Sequence, residues 1–540
     1  MASYTTLRFR DEARAKLLAG TEALADAVRP TLGPESRSVL IEKKFGRPIV
    51  CDDGVTIAKQ LKLKDPEENL GAQMLRDAAI KTGEDVGDGT TTSTLLAHAL
   101  FTEGLRNVVA GSSAVSIRRG MVKAKDTAVA ELAGLSRPVE SREETASVAT
   151  VSAHNDPTVG EMVAEAVEAV GSDGIVEVEQ ARGIETEVSV VEGFQIDKGY
   201  LSAYFVTDNQ RMEAVLEDPL ILIHEKKIAT VASLLPLLES VIQQSRPLLI
   251  IAENVEGEAL AALVLNTMRG VISAVAVKAP GFGDRRKAIL RDLAILTGAR
   301  VISEETGGDL ENVTVDDLGR ARRVVVDRDA TTVIDGAGDP DTVEGRRVEL
   351  RQELDTTTSD WDREKLEERL AKLTGKVAVI NVGAPSEGEL ERLKEAYDDA
   401  ISSTKAALEE GIVPGGGAAL IRAIPAVDKL MDDLDGDERI GAHVLRAALD
   451  VPARQLAVNV SADPGVVVQR INDGSGFFGF DGQTGTYGPM DEHGIIDPTK
   501  VVRTALENAV AVAGLLLLAE ATMVEIDEPE PAPVAQPQMF

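Results

Sequence analysis

The sequence predicts a multidomain α+β fold in which the chain leaves two domains and later re-enters both. At 540 residues it is longer than a single hydrophobic core sustains, and about three domains is the expectation from length. Its two ends are Ala-rich with helical periodicity, whereas its centre alternates short apolar runs with helices, the pattern of an α/β layer. The helical, Ala-rich character returns after "GIVPGGGAAL", which gives a nested order A–B–C–B–A.

From Asp11 to about Leu135 the pattern is mostly helical, broken by "RPTLGPES" and by a short β pair at Val39–Ile41 and Pro48–Cys51. From Ser136 to Val191 it is mixed, and "DGIVEVEQ" predicts a hairpin strand. Beyond "VEGFQIDKGYLSAYF", the runs "PLILIHE", "RPLLIIAE" and "VISAVAVKAP" predict strands and "GEALAALVLNTMRG" a helix, so pairing should be at least partly parallel. This segment closes near Lys376, after the charged helix "DREKLEERLAKLTG". "KVAVINVGAP" predicts a strand, and Glu387–Glu410 one long helix stopped by Gly411. The apolar run Ala509–Ala519 is too short to cross a bilayer and predicts a buried helix. The last stretch, "EIDEPEPAPVAQPQMF", is acidic and Pro-rich, the composition of a disordered tail.

A formal net charge of −33, from 90 acids against 57 bases, argues against a nucleic-acid partner, which would need clustered Lys and Arg. The lone Cys51 cannot form an intrachain disulfide, and the charged first twenty residues lack a signal-peptide core; a cytoplasmic location without a membrane anchor is expected. Five scattered histidines show no zinc-ligand spacing.

The densest chemistry is "GDGTTTS" at 87–93, just ahead of the apolar run Leu95–Leu100. At a helix start, Thr hydroxyls and unpaired N–H groups can face an anion, and the helix dipole favours it. Glycines permit close backbone approach, and Asp88 can hold magnesium against phosphate oxygens. A hydrophilic N-cap with redundant threonines explains the same stretch as well.

Seven collinear motifs decide between these readings: "TLGPESRSVLIEKKFGRPIVCDDGVTIAKQ", "GDGTTTSTLLAHAL", "VKAPGFGDRRKAIL", "ISEETGGDL", "TSDWDREKLEERLAKLTGKVAVI", "EEGIVPGGGAALIRA" and "GIIDPTKVVRTALENAVAVAGLLL". Together, from about Leu7 to Val524, they resemble the bacterial-type (group I, GroEL-type) chaperonins. The resemblance implies a mostly helical equatorial ATP-binding domain from 1–134 and 411–540. It implies a small α/β intermediate hinge domain from 135–191 and 377–410, and an α/β apical domain from 192–376. It also implies an ATPase coupled to protein folding. Its partners would be unfolded proteins, a small heptameric lid co-chaperonin, and its own copies in two stacked seven-membered rings.

By motif position, the resemblance assigns Thr31, Leu32, Gly33 and Pro34 to the nucleotide. Asp88, Gly89, Thr90, Thr91 and Thr92 take the phosphates, with Asp88 on Mg2+; K+ would bind through backbone oxygens. Gly416 and Asp497 go to the ribose, and Asp481 to adenine's amino group. A carboxylate suits the task of activating water in line with the terminal phosphate, and Asp399, with Asp53 beside it, matches the family's catalytic acids. The apolar rim for unfolded chains and lid matches Tyr200, Tyr204, Phe205, Leu235, Leu238, Leu260, Val264 and Leu265. Leu235 and Leu238 lie three apart and Leu260 and Val264 four apart, so each pair shares a helix face. Without the resemblance, these would read as core residues.

Departures from the family pattern are Asp52 beside the phosphates, Phe480 for a Tyr, and two altered ion pairs. Asp208 stands where a Lys would face Glu256, and Ala396 where an Arg would face Asp156. Lys198 and Glu387 keep the chemistry to pair, and the tail lacks Gly-Gly-Met repeats. The altered pairs leave a second reading, an ATP-uncoupled holdase of smaller size; the retained Asp53, Asp88 and Asp399 weigh against it. A small-molecule kinase would need a GxxxxGK[ST] loop, which is absent.

Overall fold

A computed structural model defines residues 3–42, 48–171, 174–181, 183–209, 211–303, 308–356 and 360–527. The first stretch runs β1 (Ser3–Phe9), α1 (Arg10–Val28), β2 (Val39–Ile41), β3 (Ile49–Cys51), α2 (Gly54–Gln60), α3 (Pro66–Val86), α4 (Thr90–Val109), α5 (Ala114–Leu135), α6 (Arg142–Ser152) and α7 (Pro157–Val170). The middle runs β4 (Ile175–Gln180), β5 (Glu187–Ile196), β6 (Ala214–Glu217), β7 (Leu220–Ile228), α8 (Leu235–Gln244), β8 (Leu248–Val255), α9 (Gly257–Met268), β9 (Ala274–Lys278), α10 (Gly283–Thr297), β10 (Val301–Ile302), β11 (Gly319–Val326), β12 (Thr331–Gly336), α11 (Pro340–Thr356) and α12 (Asp360–Thr374). The return runs β13 (Lys376–Val382), α13 (Glu387–Glu410), β14 (Ile412–Pro414), α14 (Ala418–Arg422), α15 (Ile424–Asp432), α16 (Gly436–Ala448), α17 (Val451–Asn459), α18 (Pro464–Asp473), β15 (Phe478–Asp481), β16 (Thr486–Pro489), β17 (Ile496–Pro498), α19 (Thr499–Leu518) and β18 (Ala521–Asp527).

Two compact units result. The first comprises Met1–Glu165, Val178–Glu187 and the chain from Asn381 on; the second comprises Ala166–Glu177 and Val188–Ile380. The segment expected to be apical lies in the second unit, and the equatorial segments lie in the first. The intermediate segment is shared, because Ala166–Glu177 goes with the second unit.

In the first unit, helices α4, α5, α16 and α19 bury Leu96, Leu100, Phe101, Ile117, Met121, Leu445 and Leu506. Small residues make that packing possible. A Cβ added to Gly120 would lie 1.9 Å from the Glu438 carbonyl oxygen, and one on Gly441 would lie 2.0 Å from that of Ile117. Thus α5 and α16 touch backbone to backbone, which accounts for a composition rich in Ala and Gly and poor in aromatics. Helix α19 is long and apolar enough to cross a membrane by composition, but Ala505, Leu506, Ala509 and Ala513 are sealed in this core.

The expected pair at β2 and β3 forms, antiparallel, with Val39 opposite Cys51. The two ends of the chain also pair, from Ser3 opposite Asp527 to Phe9 opposite Ala521. Glu525–Asp527 are therefore strand, not the start of a disordered tail, because β1 supplies backbone partners that composition cannot reveal. The rest of that tail lies outside the described residues.

In the second unit β7, β8 and β9 are parallel, with Leu220 opposite Leu248 and Leu248 opposite Ala274, as the alternation predicts. Leu248–Ala252 are sealed on both faces, so the strand reads as a continuous apolar run. Strand β11 adds antiparallel to β7 and to β12. "DGIVEVEQ" is a strand, but its neighbour is β13, so the hairpin expectation fails. Within this unit Asp292 of α10 accepts from Arg346 Nε of α11 at 2.8 Å and from Arg369 Nε of α12 at 2.7 Å, fastening three helices through one buried carboxylate.

Candidate functional site

Helix α3 ends at Gly87 (φ 75°) and α4 begins after Gly89 (φ 78°), so two left-handed glycines turn the chain within three residues. No side chain caps α4. Its first-turn N–H groups, from Thr90, Thr91 and Thr92, are thus left for a ligand, with the positive end of the helix dipole behind them. Asp88 sits in the turn: its Oδ1 accepts from the Gly89 N–H and its Oδ2 from Ser403 Oγ of α13 at 3.0 Å. Ser152 Oγ in turn donates to Ser403 Oγ at 3.0 Å, so a hydroxyl chain aims the carboxylate.

The start of α2 lies against the same turn. A Cβ on Gly54 would fall 2.3 Å from Thr91 Oγ1, so only glycine permits that approach. Thr31 closes the other side, its hydroxyl 3.2 Å from that of Thr91. The loop carrying Thr31, Leu32, Gly33 and Pro34 is pinned by Asn459 Nδ2, which donates to the carbonyls of Arg29 and Leu32, each at 2.8 Å. Gly33 takes φ 93°, a conformation open to glycine.

Asp53 caps α2, accepting from the Val55 and Thr56 N–H groups. Asp399 on α13 reaches the same region, where burial, and after it the charges of Asp88, Asp53 and Glu395, hold its carboxyl well above the usual range. Asp497, on β17 opposite Val413 of β14, is pushed up to about 7 by burial and then by Asp88. Gly416 (φ 66°) turns the chain just beyond β14, facing the Phe480 carbonyl oxygen.

Several carboxylates that raise one another's affinity for protons form a site short of positive charge, and a divalent cation relieves that. Among the described residues, no three His, Cys, Asp or Glu side chains are grouped to hold a metal alone. A single carboxylate such as Asp88, in a turn whose helix N-terminus suits phosphate oxygens, is a donor set that fits magnesium with water completing its shell.

Asp481 is held by the turn it begins. Its Oδ1 accepts from the Gln483 and Thr484 N–H groups and its Oδ2 from Thr484 Oγ1, with His493 Nδ1 at 3.4 Å. Both oxygens are engaged by the β15–β16 turn, so an adenine amino group would share this carboxylate with the turn's own donors. Phe480 is buried and stacks on Tyr487 at 4.9 Å between ring centroids.

In the second unit the expected rim divides. Tyr204 is 66% exposed, and Leu235 and Leu265 are each 47% exposed. Tyr200, Leu260 and Val264 are half-buried against the core. Phe205, at 1% exposure, and Leu238, at 9%, are core residues, so the rim assignment fails for both. Leu238 faces inward with Leu234, Leu237 and Val241. Exposed Ile242, seven residues after Leu235, and Met268, three after Leu265, extend the apolar faces of α8 and α9 and were missed in the sequence. Their signal was spacing from the exposed leucines, legible only once exposure is known.

Of the altered ion pairs, Glu256 finds Lys227 at 3.8 Å within the same unit, and Asp156 caps α7 by accepting from the Thr158 N–H at 2.9 Å. Ala396 is buried. Sequence reasoning also missed Ser403, Asn459 and Glu395, polar residues with no motif of their own.

A model of the TCP-1/cpn60 chaperonin family matches residues 24–527. The chain is 58% identical over 531 residues to Chaperonin GroEL 5 of Bradyrhizobium diazoefficiens, an alignment covering 98% of each.

Proposed function

The chain belongs to the TCP-1/cpn60 chaperonin family as a GroEL-type chaperone in protein folding, and from that premise we propose that ATP hydrolysis in its first unit drives the capture and release of unfolded proteins by its second. The observation that carries this reading is the convergence of Asp88, Asp399 and Asp497 beside the uncapped first turn of α4.

In this reading the Thr90, Thr91 and Thr92 N–H groups and hydroxyls bind the phosphates. Asp88 would hold magnesium, which supplies positive charge that offsets both the phosphates and the surrounding carboxylates. Asp399 accepts the proton of the attacking water; a carboxylate made more basic by its surroundings does so more readily. Asp53 orients that water while capping α2. Asp497 binds the ribose hydroxyls past Gly416, and Thr31 to Pro34 wrap the nucleotide. Potassium, held by backbone oxygens, is the second cation of the proposal.

The capture surface is Tyr204, Leu235 and Leu265, joined by Ile242 and Met268, since exposed apolar side chains on neighbouring elements mark a binding face. A heptameric lid, two stacked seven-membered rings and a cytoplasmic location are proposed on family membership. The test is Asp399→Ala, which should cut steady-state hydrolysis by about 100-fold while ATP affinity stays near wild type. Equal loss of affinity and turnover would remove Asp399 from the chemistry.

A further inference from the structure

Glu395 stands one turn ahead of Asp399 on α13, and the proposed function gives it no task. Its Oε1 accepts a hydrogen bond from Thr56 Oγ1 of α2 at 3.1 Å. The same Thr56 offers its N–H to Asp53, the cap of α2, so one residue of α2 holds an acid from each side. Glu395 also lies within hydrogen-bonding reach of the Asp53 carboxylate, and Asp52 and the buried Cys51 thiol are close enough to interact with it. Two carboxyl groups in contact are stable only when they share a proton.

We propose that Glu395 is a positioning residue for hydrolysis: bonded to Thr56 and, through a shared proton, to Asp53, it clamps α13 onto the start of α2 and so fixes where Asp399 stands over the phosphates. The proposal rests on the reading of Asp399 given above. Among the described residues α13 is also tied at Ser403, Glu409 and Glu410. Ser403 reaches Asp88 two turns further on, and Ser402 is packed so closely on Gly87 that a Cβ there would lie 2.2 Å from its own. The bond from Thr56 to Glu395 ties α13 to α2 one turn from Asp399, closer to it than the ion pairs of Glu409 and Glu410 with α19 at the helix's end.

Burial first, and then the charges of Asp53 and Asp52, push Glu395 up to about 7, while the Thr56 hydrogen bond works the other way. Asp399, one turn on, feels the Glu395 charge in turn. The sign follows. Below about pH 7 Glu395 carries the proton that bridges to Asp53, and the clamp is closed; as pH rises it ionises beside Asp53 and Asp52, and repulsion loosens α13.

The experiment compares Glu395→Gln, Glu395→Ala and Thr56→Val with wild type and with Asp399→Ala. Steady-state ATP hydrolysis is measured from pH 6 to 9 and nucleotide affinity is measured separately. Glutamine mimics the protonated acid, so Glu395→Gln should hydrolyse ATP like wild type near neutrality and lack the alkaline fall in turnover that the clamp predicts for wild type. Glu395→Ala should lower kcat about tenfold with ATP affinity unchanged, and Thr56→Val should lower it in the same direction. Wild-type turnover and an unaltered pH profile in both Glu395 variants would overturn the proposal. Asp399→Ala that hydrolyses normally would instead overturn the parent reading. A Glu395→Gln variant no better than Glu395→Ala would also count against the clamp, since the amide restores both hydrogen bonds.

Discussion

Leu235 and Leu238 stand three residues apart on α8, yet the first is 47% exposed and the second 9%. Leu238→Ala deletes three carbons from a site enclosed by Leu234, Leu237 and Val241. Losing the transfer energy and leaving a cavity costs 2–5 kcal/mol for buried leucine, and about 3 kcal/mol is expected here. Leu235→Ser removes a side chain that already meets water over nearly half its surface; at roughly 25 cal/mol per Å2 of lost burial the cost is about 1 kcal/mol or less. Functionally the order should reverse. With nucleotide absent, capture of a chemically unfolded reporter, followed by suppression of its light scattering, should weaken several-fold in Leu235→Ser. It should stay near wild type in Leu238→Ala under conditions where that variant is folded. Denaturant titration followed by circular dichroism supplies the stability arm. A cost near 3 kcal/mol for Leu235→Ser, or capture unchanged in that stable variant, would refute the assignment of α8's outer face to unfolded chains.

Asp88→Ala should abolish magnesium-dependent nucleotide binding, because the site loses the carboxylate that Gly89 and Ser403 aim into it; calorimetric titration with ATP and magnesium showing wild-type affinity would contradict this. For Asp481, burial opposes the charge, but hydrogen bonds from Thr484 Oγ1, from the Gln483 and Thr484 N–H groups and from His493 outweigh it and hold the carboxyl below its usual range. A depressed folded value means stability that is present above the unfolded carboxylate range and lost as pH falls through the folded one. Protection of the Gln483 and Thr484 amides, taken relative to their intrinsic exchange rate at each pH, should therefore fall in acid in wild type and be low at every pH in Asp481→Ala. Acid-independent protection in wild type would show the turn does not depend on this charge.

The long-range layout was legible because it is written in periodicity and punctuation. Helix α13 begins and ends where the sequence placed it, at Glu387 and Glu410: Ser386 caps it by accepting from the Glu389 N–H, and Gly411 leaves it at φ 80°. The parallel strands β7, β8 and β9 were legible because burial on both faces demands unbroken apolar runs. What stayed hidden is pairing with distant partners. Glu525–Asp527 carry the composition of a tail and become strand only because Ser3–Thr5 supply the other half of the ladder. β4 lies beside β13 rather than beside the next strand.

The candidate site divides along the same line. Asp88, Gly89 and the three threonines could be found because their function is local: a turn, a helix start and an acid within a few residues. Leu238 and Phe205 could not be sorted from Leu235 and Tyr204, since a helical face is wider than the boundary between core and surface that runs along it. The turn role of Asp481 was not legible, because a free carboxylate and one bonded by Gln483 and Thr484 are the same letter; only the turn's geometry shows those bonds. Glu395 is the reverse case. In "EGELERLKEAYDD" it is one acid among many on a charged helix, and the ordinary inference is a solvated side chain. It becomes singular when α13 lies against α2 and brings it to Thr56 and Asp53. An acid's role follows from which other charges share its desolvated space, and that depends on contacts between residues more than three hundred positions apart, as Thr56 and Glu395 are.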